Sequence, residues 1–160
     1  MIRAVLFDLD GTLVQTEELK AKSYAAAARE LDPRVEDSAV TAAFDELAGR
    51  SRQEVAEGLL ARFGLAPAAA ARAEELGAAT PWEAFVTLRL RRYDAMLADD
   101  GLLRAQRIPA TIALLARVRM EGYRTGMTTM SDRAHAGLIL AALGLSDAFE
   151  VLITPGDVAA

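Results

Sequence analysis

Two acidic residues one position apart, Asp8 and Asp10, stand at the end of an apolar run, Ala4-Val5-Leu6-Phe7, and are followed at once by Gly11 and Thr12. Four consecutive apolar residues predict a strand covered on both faces, as in a parallel sheet flanked by helices. Sheets of that kind bind ligands beyond the carboxyl ends of their strands, which is where the two acids fall. Alternation predicts that Asp8 and Asp10 point to one side and Leu9 to the other. Carboxylates so close repel unless a cation lies between them or one of them holds a proton, and both arrangements suit phosphoryl chemistry. Gly11 removes a side chain where the backbone must turn or a ligand approach. Taken alone, the residues leave open an Asx turn that simply closes a strand. A calcium loop shares the Asp-x-Asp-Gly fragment, but it follows a helix and needs a distal Glu at a set position, which is missing.

The rest of the chain must build a sheet around that strand and cover it. Residues 17–30, dense in Ala, Glu and Lys, predict a helix stopped by Asp32-Pro33. A second spans 38–48 and ends at Gly49, and the capping box Ser51-Arg52-Gln53-Glu54 opens a third that runs to Phe63-Gly64. An Ala-rich stretch, 67–77, reads as a fourth. Thr80-Pro81-Trp82-Glu83 starts a fifth that continues to the neighbourhood of Asp99. Pro109 then opens an amphipathic helix with Ile112, Leu115 and Val118 on one stripe, closed by Gly122. A strand over 124–129, a helix capped by Ser131 and Asp132 and ending at Gly144, and a strand over 149–154 complete the order. That order predicts the α/β class: a parallel sheet of three strands, interrupted after its first strand by an all-helical insertion. The core is placed at 1–15 and 100–160, and the insertion at 16–99.

Asp8-Leu9-Asp10-Gly11-Thr12 resembles the first motif, DxDGT, of the haloacid dehalogenase-like hydrolase superfamily, most of whose members are magnesium-dependent phosphatases. The resemblance covers the whole chain and extends to the layout of the subgroup whose helical cap follows the first motif, similar to phosphoglycolate-phosphatase-like and β-phosphoglucomutase-like members. It implies a Rossmann-like core with a helical cap. It further implies that Asp8 is the nucleophile, forming an aspartyl-phosphate, and that Asp10 protonates the leaving oxygen and later activates water. Mg2+ at Asp8 and Asp10 would offset the repulsion between a carboxylate nucleophile and a phosphate anion. An acid at position 10 argues against carbon–halogen cleavage, because the dehalogenases of the superfamily lack it.

The same resemblance assigns phosphate binding to Gly11, Thr12, Thr129 and Met130, with Thr129 as the second-motif residue that donates to the phosphoryl group. By residue type alone, Thr128 and Thr129 are better explained as β-branched strand residues. In the insertion, Leu47-Ala48-Gly49-Arg50-Ser51-Arg52 resembles the cap loop that closes over substrate, so Arg52, with its neighbour Arg50, is a candidate for substrate phosphate, which a guanidinium fork suits. An exposed basic helix start accounts for the same two arginines. Lys20 is a third substrate candidate. It stands where many mutase-like members carry a catalytic histidine, and Gln15 where members usually carry Asp, which turns the reading away from a mutase. His135 reads as a surface residue, since a metal here would take oxygen ligands. Trp82, Phe85 and Tyr93 read as a packing stripe.

Composition sets outer limits. The 160 residues include 52% hydrophobic types, enough for a packed interior. A formal charge of -5 gives no broad cationic field for nucleic acid or an anionic membrane surface. With no cysteine, disulfides and thiolate chemistry are excluded. No apolar run is long enough to span a bilayer and no signal-type segment opens the chain, so a cytoplasmic protein is expected. The substrate class implied is a small phosphorylated metabolite.

Family members continue with a lysine motif and a fourth strand bearing acidic metal ligands, and Thr154-Pro155-Gly156-Asp157-Val158-Ala159-Ala160 approaches that lysine without reaching it. The expectation is therefore an incomplete core, weak or absent catalysis in these 160 residues, and self-association through the exposed first strand. Two alternatives remain: a non-catalytic homologue that binds a phosphorylated ligand or a partner, and a sugar-phosphate mutase.

Overall fold

Three short strands, β1 (Ala4–Phe7), β2 (Arg124–Thr128) and β3 (Val151–Ile153), form a parallel sheet in the order β1-β2-β3 in a computed structural model whose described residues are 2–158. Ala4 pairs with Arg124 and Phe7 with Met127, while Gly126 pairs with Val151 and Thr128 with Ile153. This register sorts the side chains into two faces. Phe7, Thr125 and Met127 are buried on one. On the other, Leu6 (64% exposed), Val151 (47%) and Ile153 (36%) face outward, which corrects the expectation of a strand covered on both sides. Parallel crossovers of one hand put successive connecting helices on the same face, so β1-β2-β3 connections cover only one side. Gly126 follows from this face: a Cβ there would lie 2.7 Å from Leu6 Cδ2 and 2.9 Å from Val151 Cγ1, so only glycine lets those two side chains close over the middle strand.

Helices α1 (Thr16–Leu31), α2 (Asp37–Glu46), α3 (Arg52–Phe63), α4 (Ala66–Ala71) and α5 (Pro81–Leu97) fill the stretch between β1 and β2. They are followed by α6 (Asp100–Ala105) and α7 (Pro109–Met120), and α8 (Arg133–Ala142) links β2 to β3. α4 stops six residues short of the expected end. α6 was not expected: Asp99 caps it by accepting the Leu102 N–H, and Leu103 on it is fully buried. A 3-10 turn, Pro155–Asp157, follows β3. No helix among the described residues is long and apolar enough to cross a membrane.

The chain divides into two compact units, residues 1–17 with 96–160, and residues 18–95. In the first, the segments that lead into and out of the helical stretch are tied together: Gln15 N–H donates to Gln106 C=O and Ile108 N–H to Leu13 C=O, both at 2.8 Å. The unit is packed with Leu9, Leu13, Val14, Leu115, Met127 and Ile139, and Phe7 meets Phe149 with ring centroids 6.0 Å apart.

The second unit is helical and closes around Tyr24, whose ring lies 5.5 Å from Phe44 and 5.6 Å from Phe85. The guanidinium of Arg89, itself 5% exposed, stacks 5.2 Å from Tyr24 and 4.5 Å from Tyr93, so its charge is taken up in part by two aromatic faces. Burial pushes the Tyr24 hydroxyl up, and the nearby charges of Arg89 and then Arg52 oppose that. Phe85 and Tyr93 are core residues and Trp82 is partly buried against the same cluster. Both expected capping boxes are formed, Ser51 with Glu54 and Thr80 with Glu83.

Candidate active site at the strand ends

Beyond Phe7 the backbone leaves the sheet in a tight turn wrapped around its own Leu9 carbonyl, which accepts the N–H groups of Thr12, Leu13 and Val14. Gly11 N–H donates to Val14 C=O at 2.8 Å, and Gly11 has φ 73°, a left-handed conformation that a side chain would strain. Leu9 is fully buried, and the turn anchored by it leaves Asp8 exposed and Asp10 half-buried. The two carboxylates hold different partners. Asp8 Oδ2 accepts the Thr12 hydroxyl at 3.3 Å. Asp10 is bound by three hydroxyls: Thr16 on Oδ1, and Thr129 at 3.2 Å and Ser131 at 2.8 Å on Oδ2.

Those hydroxyls come from two separate segments of the first unit, 1–17 and 96–160. Thr16 is the first residue of α1 and is fully buried. Thr129 lies one residue past β2 and is fixed by its N–H bond to Ile153 C=O at 3.0 Å, so β3 positions it. Its Oγ1 also accepts the Ser131 N–H at 3.1 Å. Ser131 does not cap α8 as expected. Asp132 does, accepting the His135 N–H at 2.9 Å, which frees the serine hydroxyl for Asp10. His135 is not a surface residue either: its side chain is 18% exposed with Nδ1 2.8 Å from Asp132 Oδ2.

Ser131 and Thr16 were absent from the candidates drawn from sequence. The available signals were a second hydroxyl two positions after Thr129 and a threonine at the mouth of the first helix. Both read equally well as helix caps.

The fold thus brings together Asp8, Asp10, Thr12 and Thr129. The N–H groups of Gly11 and Thr12 are already used within the turn, and the Met130 side chain is 86% exposed. Arg50 and Arg52 are exposed at the start of α3 and Lys20 is half-buried on α1, all three in the second unit. Arg133, a further source of positive charge in the first unit, is engaged elsewhere. It donates to Asp157 at 2.6 Å and to Leu152 C=O at 3.0 Å. The Thr154 hydroxyl and N–H, then Arg133, hold the Asp157 carboxyl below the usual range.

Among the described residues no group of three or more His, Cys, Asp or Glu side chains is placed to hold a metal ion. The Asp8 carboxylate and the Asp10 backbone carbonyl are hard oxygen donors, and magnesium is commonly held by one or two carboxylates with waters and substrate phosphate completing the shell. The donor set therefore fits Mg2+ in kind and is thin in number. Chemically, the arrangement offers an accessible carboxylate two residues before a second one whose hydroxyl partners can either donate to a carboxylate or accept from a carboxylic acid.

The family model for haloacid dehalogenase-like hydrolases matches residues 2–160. A phosphoglycolate phosphatase of Rhodospirillum rubrum is 34% identical over 149 residues, covering 92% of this chain and 56% of that protein. Among solved structures, a β-phosphoglucomutase from Clostridium difficile superimposes with a TM-score of 0.65 at 19% identity, covering 100% of this chain and 65% of the other. CbbY of Rhodobacter sphaeroides, solved as a mutant in complex with xylulose-(1,5)bisphosphate, gives 0.62 at 22% identity, covering 100% and 66%. The chain spans a little over half the length of its phosphatase relative and about two thirds of these structures. From the strand-end Asp8-x-Asp10 turn, the three-stranded α/β unit and these matches together, the chain belongs to the haloacid dehalogenase-like hydrolase family.

Proposed function

We propose that this chain carries the nucleophile and the acid–base residue of a magnesium-dependent phosphatase acting on a small phosphorylated metabolite. The observation that carries the reading is the division of labour between the two carboxylates, Asp8 exposed beside one hydroxyl and Asp10 held by three. An Asp8 carboxylate oxygen attacks phosphorus and the bond to the leaving oxygen breaks, while Asp10 gives that oxygen its proton. Asp10 then takes a proton from water, which attacks the Asp8 phosphate and releases inorganic phosphate with Asp8 restored. Mg2+ held by the Asp8 carboxylate and the Asp10 backbone carbonyl would offset charge on the transferring phosphoryl group. Thr129 and the Met130 backbone would orient that group. Gly11 and Thr12 act by shaping the turn.

The phosphatase relative supports a phosphoglycolate-like substrate class, a small acid phosphate. In this scheme residues 1–15 and 100–160 are the catalytic core and 16–99 a cap, with Arg52, Arg50 and Lys20 as its substrate contacts. A cytoplasmic site of action accords with such substrates. For residues 1–160 we expect weak metal affinity and only trace turnover, because one carboxylate and one backbone carbonyl are a thin magnesium site and Arg133 is committed to Asp157. The open face of the sheet supports self-association of these residues through β1, since Leu6 and the unpaired edge carry no blocking charge or proline.

The test is phosphate release by the full-length protein with and without magnesium, and by its Asp8→Asn variant. A fall of at least about a thousandfold is expected on losing a nucleophile. Undiminished turnover would remove Asp8 from the role.

A further inference from the structure

The Thr129 hydroxyl has one proton. It accepts the Ser131 N–H at 3.1 Å and directs that proton to Asp10 Oδ2 at 3.2 Å. A phosphoryl oxygen bound by Thr129 would need the same proton, so the bond to Asp10 and the proposed bond to substrate exclude each other. Ser131 Oγ lies closer to that carboxylate oxygen, at 2.8 Å. Its backbone is fixed on both sides, by the Thr129 N–H bond to Ile153 C=O and by Asp132 capping α8. On the far oxygen, Oδ1, Thr16 donates from the start of α1.

We propose that Ser131 is the positioning residue for Asp10: its hydroxyl keeps Oδ2 oriented when Thr129 turns to the phosphoryl group. A hydroxyl suits this task where an ammonium would not. It holds Oδ2 by donating to it while adding no positive charge beside a group that must carry a proton. The inference rests on Asp10 acting as the acid–base residue.

Steady-state kinetics of the full-length protein on p-nitrophenyl phosphate and on an alkyl phosphate test it, with Ser131→Ala, Ser131→Thr and Asp10→Asn compared. A misplaced acid matters most where the leaving group is poor. Ser131→Ala is expected to lower kcat on the alkyl ester roughly tenfold, as for loss of one charge-assisted hydrogen bond. It should leave the aryl ester and both KM values nearly unchanged, and Ser131→Thr should restore the rate. Equal losses on both esters, or a raised KM at unchanged kcat, would overturn it while a selective Asp10→Asn defect left the acid role standing. A non-selective Asp10→Asn defect would overturn both. A crystal structure with inorganic phosphate gives an independent reading: Thr129 Oγ1 on the phosphate with Ser131 still on Asp10 supports the inference, and Ser131 on the phosphate refutes it.

Discussion

The helical unit and the α/β unit distribute polarity in opposite ways. In residues 18–95 the centre is an aromatic and aliphatic cluster around Tyr24 and Phe85, and most ion pairs, such as Arg62 with Glu46 and Arg34 with Asp32, lie outside. In the other unit a carboxylate ringed by hydroxyls is half-buried, while Leu6, Val151 and Ile153 are turned outward. The first arrangement is what burial alone favours. The second forgoes stability at two places, the proposed catalytic carboxylates and a bare sheet face. Arg89 is the exception that sharpens the contrast: a cation inside the helical unit, lodged between two tyrosine rings.

The largest effect is expected at the polar centre. Asp10→Asn in the full-length protein should slow hydrolysis of alkyl phosphates by about 10²–10⁴-fold, the usual share of general acid–base catalysis. Aryl esters should suffer far less, and equal loss on both would dissolve the division between the two carboxylates. In the apolar centre of the other unit, Phe85→Ala should lower the unfolding free energy by about 3–5 kcal/mol in urea titration. A cost under about 1 kcal/mol would mean that the cluster around Tyr24 collapses easily, against the close packing of protein interiors.

A smaller effect tests the open sheet face. Leu6→Glu removes no buried contact of consequence, so stability should change by roughly 0.5 kcal/mol or less, as for surface substitutions in general. It should nonetheless suppress self-association of residues 1–160 in sedimentation velocity across a concentration series. Monomeric behaviour of the unsubstituted chain at every concentration would show that this face needs no partner.

The smallest effect concerns pH. The side chain and then the N–H of Arg34 pull the half-buried Asp32 carboxyl down to about 2, and Arg72, with Arg92, lowers Glu30. Folded values below the unfolded ones mean stabilisation that is complete above an ordinary carboxylate value of about 4. It is lost as pH falls through the folded values, toward about 2 for Asp32. Melting temperature should therefore hold steady down to about pH 5 and decline below about 4. High salt should reduce the part due to exposed pairs. A decline already complete near neutrality would assign it to other groups.

Local signals were sufficient wherever neighbours in sequence decide the outcome. Ser51 with Glu54 and Thr80 with Glu83 announce helix starts because a capping box needs only four residues, and both are formed. The strand-end placement of Asp8 and Asp10 likewise follows from an apolar run meeting a glycine turn. The α6 helix escaped notice because Asp99-Asp100-Gly101 looks like a turn until Leu103 is buried. Ser131 was misassigned for a related reason: serine and aspartate at 131 and 132 both suit an N-cap, and only the approach of Asp10, 121 positions away, decides which of them is used. The sequence by itself determined the class, the two carboxylates and the helical insertion, since periodicity and turn chemistry act over a few residues. The tertiary structure alone decided which hydroxyls reach Asp10 and which sheet face stays bare. Those depend on strand order and on which face the crossovers cover, and neither is written in any single stretch of the chain.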